Sequence, residues 1–344
     1  MVDESNKHRV AVFRFDASRS IGGGHALRCM TLADALFKKG WSCCYCVGEE
    51  TLKVVPRLKE RQNECLELTG EPERQPELMR KWLSGEVCDL LVVDHYGLDV
   101  RFETLCRDFA SRILIIDDLA NRPHDGDFVL DQTLGRLEQQ YSNLVPSTCR
   151  FFLGPEFALL NLRYAARRKQ SIERRNQIRS VSRILISIGL TDPLGLSGQV
   201  LEQIADIPDV EVDIVLGADA PGLDAVREKA KSYDGRVRVH VDIDDLSGLM
   251  VEADLSVGGC GSTSWERCCL GLPTLGIVIA ENQQLIADNL VSVGALEVVS
   301  DMARFGEQLG SLVGDLDRMK RMSRAAASVC DGLGSERVAN GLSR

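Results

Sequence analysis

The sequence has no excess of positive charge: 41 lysines and arginines stand against 51 acidic residues, a net charge of -10. That excludes a protein that grips nucleic acid by bulk phosphate attraction, so any anion must be held locally, by backbone N–H groups at helix starts. No window approaches the roughly 20 uninterrupted apolar residues of a membrane span. The opening MVDESNKHRV has no apolar signal-peptide core, and a cytoplasmic protein without a membrane span is expected. There is no short-period repeat and no low-complexity tract. The twelve cysteines fall largely inside apolar runs (Cys43, Cys44, Cys46, Cys88, Cys106, Cys268, Cys269), which predicts reduced, buried thiols and no disulfides. Cys43 and Cys46 form a C-x-x-C within a strand, away from the helix start that would activate a thiol, and no second pair supplies zinc spacing. The acidic triplets at 125–127, 242–244 and 315–317 arise readily in so acidic a chain, with Asp244 or Asp245 reading as a helix N-cap. Neither a metal nor a cofactor is expected.

With 344 residues the chain suits two domains of roughly 150 residues each. Short apolar runs alternate with amphipathic stretches, the pattern of β-α units feeding a parallel sheet. Strands are expected at 9–15, 42–47, 64–68, 89–94, 112–117 and 128–131, then at 184–188, 211–216, 236–241, 255–257 and 275–279. The highly charged stretch between the two sets predicts a linker at 166–182. It separates an amino-terminal domain, 1–165, from a carboxyl-terminal one, 183–344, whose last helix is expected to pack back on the first. In such sheets ligands sit beyond the carboxyl ends of the strands.

The loop after the first strand, DASRSIGGGHALRCM, joins Gly22, Gly23 and Gly24 to His25 at a helix start. A dinucleotide fingerprint is one reading, but its third glycine is replaced by Leu27 and the glycines lie well past the turn. The helix dipole favours neutral imidazole at His25, which fits a general base beside bound phosphates; local packing is the alternative. Asp94, His95 and Tyr96 cluster after the fourth strand, as site residues or as a cap with a half-buried aromatic. Asp117 and Asp118 read mainly as turn and cap residues.

In the second half, Gly258, Gly259 and Gly261 precede Ser262, Thr263 and Ser264 at a second anion-binding helix start. Glu266 suits either the vicinal hydroxyls of a ribose or the helix dipole. Gly189, Thr191 and Asp192, and likewise Asn282 and Gln283, occupy further loops at the same sheet edge.

Together RFDASRSIGGGHALRCMTLA, VVDHYGLD, IIDDLANRPHDGDFVLDQ, FLGPEFALL and GGCGSTSWERCCLGLPTL resemble the UDP-sugar hydrolases of pseudaminic acid biosynthesis, the PseG family, itself similar to MurG-like glycosyltransferases. The first block is specific because strand, Arg14-x-Asp16, glycine loop and His25 agree together. The resemblance implies a GT-B fold, two Rossmann-like doubly wound domains with parallel sheets facing across a cleft. It implies hydrolysis of UDP-2,4-diacetamido-2,4,6-trideoxy-β-L-altropyranose by water at the anomeric carbon, with C–O cleavage and inversion. His25 then matches the general base, Tyr96 and Asn282 residues near the sugar, and Ser262, Thr263 and Glu266 the nucleotide-binding helix. Arg14, Asp16, Gly22, Gly23, Gly24, Asp94, Gly189, Thr191, Asp192, Gly259, Gly261 and Gln283 are expected to line the substrate. UDP is a good leaving group once helix N-termini stabilise its charge, so no metal is needed. Leu190 departs from the G-G-T-D loop common in the family, altering backbone approach there. A glycosyltransferase using the same UDP-sugar sites, and a non-catalytic nucleotide-sugar-binding protein, are the alternatives.

Overall fold

A strand flanked on both edges by parallel partners is buried on both faces and so reads as a continuous apolar run. β1 (Arg9–Phe15) and β4 (Leu90–Asp94) are such strands, closed to solvent along nearly their whole length. The structure, a computed structural model, describes residues 9–344 except 62, 205, 206 and 208. The expectation drawn from the first eight residues lies outside the described residues. The chain divides into two units: one holds the residues up to Leu159 together with Gly334–Arg344, the other Leu160–Leu333.

In the first unit, β1, β2 (Trp41–Gly48), β3 (Cys65–Leu68), β4, β5 (Ile113–Ile116), β6 (Phe128–Asp131) and β7 (Arg150–Leu153) form one sheet in the order β3-β2-β1-β4-β5-β6-β7. Every pairing is parallel. One face packs the helix Gly24–Phe37, through Ala26, Cys29, Met30 and Leu32, and the helix Gly334–Leu342, through Val338 and Leu342. The other face packs Met79, Phe102 and Cys106. Arg9 and Arg112 donate to the Ser343 and Leu342 carbonyls at the end of the last helix, cations placed at the negative end of its dipole.

In the second unit, β8 (Arg183–Ser187), β9 (Glu211–Leu216), β10 (Val237–Val241), β11 (Leu255–Gly259), β12 (Thr274–Ile277) and β13 (Glu297–Val298) form a parallel sheet in the order β10-β9-β8-β11-β12-β13. Its core joins Ile186, Ile214, Val257 and Leu275 of the strands to Val200, Phe305 and Met322 of the flanking helices.

The expected linker at 166–182 is corrected: most of it lies in the helix Leu162–Asn176 of the second unit. Its charges mislead because the arginines lay apolar stems on the protein and spend their heads on backbone carbonyls. Arg168 donates to Ala327 and Cys330, and Arg175, only 2% exposed, to Met250 and Ala253.

Candidate functional site

Each sheet has one place where consecutive connections run to opposite sides, between β1 and β4 in the first unit and between β8 and β11 in the second. Loops diverge there and leave a crevice beyond the strand ends.

After β1 the chain turns at Ser18, whose carbonyl accepts from Gly22 N at 2.8 Å. Gly22 has φ +79°, and a side chain there would meet nothing, so its conformation is what requires glycine. Gly23 then opens the helix Gly24–Phe37 with no side chain capping the first turn. The helix brings His25 over the end of β4. His25 Nδ1 stands 2.5 Å from Asp94 Oδ1, and because an ionised carboxylate only accepts, Nδ1 carries the proton. Nε2 has no hydrogen-bond partner among the described residues. The Tyr96 ring packs edge-on against the imidazole at 4.7 Å.

Asp94 is fully buried. Burial pushes its carboxyl up, but Arg28 and His25 outweigh that and hold it below the usual carboxylate range. Arg28 donates to both Asp94 oxygens at 2.6 Å and to Asp118 Oδ2 at 3.1 Å, an oxygen that also accepts from Tyr96 Oη at 3.3 Å. The sequence reading missed Arg28 and gave Asp118 to turn duties. A basic residue three positions after His25 on an otherwise apolar helix face is the signal that could have found Arg28. Asp117 does serve its turn, accepting from Ala120 N and binding Arg122.

Arg14 does not line a ligand surface as expected. It is 2% exposed, and its donors go to Gln75, the Phe15 carbonyl and Asp16. Asp16 is in turn fixed by Gly48 N at 2.6 Å and His95 Nε2 at 3.0 Å. Burial raises the Asp16 carboxyl, and His95 with Arg14 brings it below its usual range. His95 Nδ1 accepts from Gly97 N, so this histidine donates through Nε2 and braces Asp16.

In the second unit Asp192 is buried with φ +32°, and its carboxylate accepts from Leu196 N and Ser197 N. It therefore caps the helix Leu196–Ile204, and its expected ligand contact gives way to that role. Gly189 and Thr191 lie half-buried on the same loop, and the Leu190 carbonyl accepts from Gly217 N at 2.8 Å. Gly259 is demanded by packing: an added carbon would run into the Ile188 carbonyl of the neighbouring strand connection. Arg267, 1% exposed, sits under this loop, donating to the Gly259 carbonyl and Ser264 Oγ while its Nη1 is buried without a partner.

Ser262 and Thr263 open the helix Thr263–Cys269 half-buried, and burial together with the nearby Glu266 carboxylate pushes the ionisation of the buried Tyr164 hydroxyl well up. Gln283 Oε1 accepts from Cys260 N and Ile279 N, tying the loop after β12 to Gly261 and its neighbours instead of facing outward. Asn282 is exposed beside it.

Among the described residues no cluster of His, Cys, Asp and Glu is arranged to hold a metal ion. The acidic triplets have other occupations: Arg107 bridges Asp125 and Asp127, Asp242 accepts from Ala218 N, and Asp315 from Arg318 N, while the neighbouring Asp245 accepts from Ser247 N. Cys43 and Cys46 are buried free thiols, and burial pushes Cys43 up to about 12. No helix among the described residues is long and apolar enough to cross a membrane.

No protein-family model matches the chain. It is 25% identical to the UDP-2,4-diacetamido-2,4,6-trideoxy-beta-L-altropyranose hydrolase of Campylobacter jejuni over 82% of this chain and 96% of that protein. It is 24% identical to the spore coat polysaccharide biosynthesis protein SpsG of Bacillus subtilis, over 91% and 88%. An uncharacterized protein of Methanocaldococcus jannaschii is 22% identical over 78% of this chain, which spans only 55% of that protein's length. Among solved structures, Acinetobacter baumannii MurG superposes with a TM-score of 0.65 at 15% identity, covering 97% of this chain and 99% of that one. The spinosyn rhamnosyltransferase SpnG, complexed with thymidine diphosphate, gives 0.65 at 15%, covering 98% and 100%. The fold is GT-B, built of two Rossmann-like parallel-sheet units.

Proposed function

We propose that this protein hydrolyses a UDP-linked sugar. Water gives a proton to His25 Nε2 as its oxygen bonds to the anomeric carbon; the C–O bond to UDP breaks with inversion, and its electron pair leaves on the diphosphate. The observation that carries this reading is the His25–Asp94 pair at 2.5 Å, which fixes the imidazole with Nδ1 protonated and Nε2 bare at the end of β4. A histidine that only packed would not need a buried, ionised carboxylate to set its tautomer. Tyr96, against the ring, is assigned to the sugar side of the reaction.

In the second unit Ser262, Thr263 and the glycine loop are assigned to the diphosphate, Glu266 to the ribose hydroxyls, and Gly189, Thr191 and Asn282 to the rest of the nucleotide sugar. A diphosphate whose charge is met by backbone N–H groups needs no strong general acid to leave. The resemblance to the Campylobacter hydrolase over nearly its full length supports the diacetamido altropyranose as the sugar.

The test is incubation of the full chain with that UDP-sugar, following UDP release and the free sugar's anomeric signal by NMR. Hydrolysis predicts release without an added acceptor, slowed about 10²- to 10⁴-fold in His25→Ala. Release that waits for an alcohol acceptor would instead establish a glycosyltransferase, and tight binding without turnover a nucleotide-sugar-binding protein.

A further inference from the structure

His25 is not paired with Asp94 alone. Arg28, less than one helical turn further on and 7% exposed, donates through Nε to Asp94 Oδ2 and through Nη2 to Oδ1, both at 2.6 Å. The same Nη2 stands 3.3 Å from His25 Nδ1. A lone aspartate at 2.5 Å would favour imidazolium, which has no lone pair left to accept a proton. A guanidinium bridging both carboxylate oxygens takes up that charge and places its own beside the ring.

We propose that Arg28 is a positioning residue that keeps His25 neutral, with its proton on Nδ1 and Nε2 bare, so that the Asp94 carboxylate orients the base without consuming it. This rests on the reading of His25 as the base. The groups that meet the ring or its partners account for the balance: Arg28, Asp94 of β4 and Tyr96 meet the imidazole, Cys29 bonds to Asp94, and Asp118, from the loop after β5, bonds to Arg28 and Tyr96. Arg28 is the cation among them, and it binds both carboxylates. Burial pushes the Cys29 thiol up, so it stays neutral. A charge within about 4–6 Å of a titrating group moves its protonation by roughly one to three pH units.

The experiment uses the full chain and three variants, His25→Ala, Arg28→Gln and Arg28→Lys, with the diacetamido UDP-sugar. The acidic limb of kcat/KM should move upward by about one to three pH units in Arg28→Gln, and Arg28→Lys, which restores the charge, should return it most of the way. A rate lowered equally at every pH, with the limb unmoved, would overturn the inference while a strongly slowed His25→Ala variant left the base assignment standing. An undiminished rate in His25→Ala would overturn both. Independently of any variant's folding, 15N spectra of the wild-type His25 ring at pH 7 should show a protonated Nδ1 and a bare Nε2. Protonation of both nitrogens at that pH would overturn the proposal.

Discussion

The two units share a parallel-sheet plan and a switch point, yet they equip it differently. At the end of β4 the first unit gathers His25, Arg28, Asp94 and Asp118 into a paired, buried charge network around one imidazole. At the end of β11 the second unit places glycines and hydroxyls, with a single buried guanidinium, Arg267, that meets a carbonyl and a hydroxyl but no carboxylate. Charge held against charge sets the protonation of a reacting group, whereas neutral donors and an open backbone suit an anion that must come and go. On the proposed reading, the first unit is equipped for proton transfer and the second for binding.

Substitution of the reacting group should break that comparison most severely. His25→Ala is expected to lower kcat by about 10²- to 10⁴-fold while leaving UDP affinity, measured by calorimetry, within a few-fold of wild type. Glu266→Gln should do the reverse, weakening UDP binding about tenfold for the loss of one charged hydrogen-bond acceptor with a smaller change in kcat. Equal effects of both variants on both parameters would remove the division of labour.

Next in size is stability. Arg28→Met strands the buried Asp94 carboxylate and should cost about 3–5 kcal/mol in urea unfolding. Arg267→Met removes a buried cation that has no counter-charge, leaving the Gly259 carbonyl and Ser264 hydroxyl without a donor, and should cost less than about 2 kcal/mol. A larger loss for Arg267→Met would contradict the contrast between paired and unpaired guanidinium groups.

The acid response sharpens the same contrast. Asp94 and Asp16 ionise below their ordinary range in the folded protein. Their contribution is fully present above the unfolded value of about 3.9 and is lost as pH falls below it toward their folded values. Urea midpoints should therefore hold down to about pH 4 and fall as the pH is lowered further, and Asp16→Asn should flatten that slope. The smallest effect expected is that of Gly22→Ala, which forces a side chain into φ +79° at a cost of about 1–2 kcal/mol, with a modest loss of kcat and no change in UDP affinity.

Much of the fold was legible because buried parallel strands are apolar runs, and those of β1, β6 and β9 match their expected bounds. β7 and β13 escaped notice because four- and two-residue edge strands are too short to show a period. The helix Leu162–Asn176 was hidden by its arginines, whose carbonyl partners lie far away in sequence. At the site, His25, Asp94 and Tyr96 stood out because loops after strands are where ligands sit. Arg28 did not, since an arginine inside a helix reads as solvated until topology brings β4 against it. Gly259 and Asp192 carry roles that the sequence did not reveal, for the opposite reason: a close-packed strand and a helix cap use the same residue types as a phosphate loop.

The central claim is that water, deprotonated by His25, attacks carbon. Hydrolysis of the diacetamido UDP-sugar in H₂¹⁸O tests it most directly: the account predicts one ¹⁸O on the anomeric carbon of a free sugar of inverted configuration and none in the UDP. Label in the UDP, or retained configuration, would contradict it.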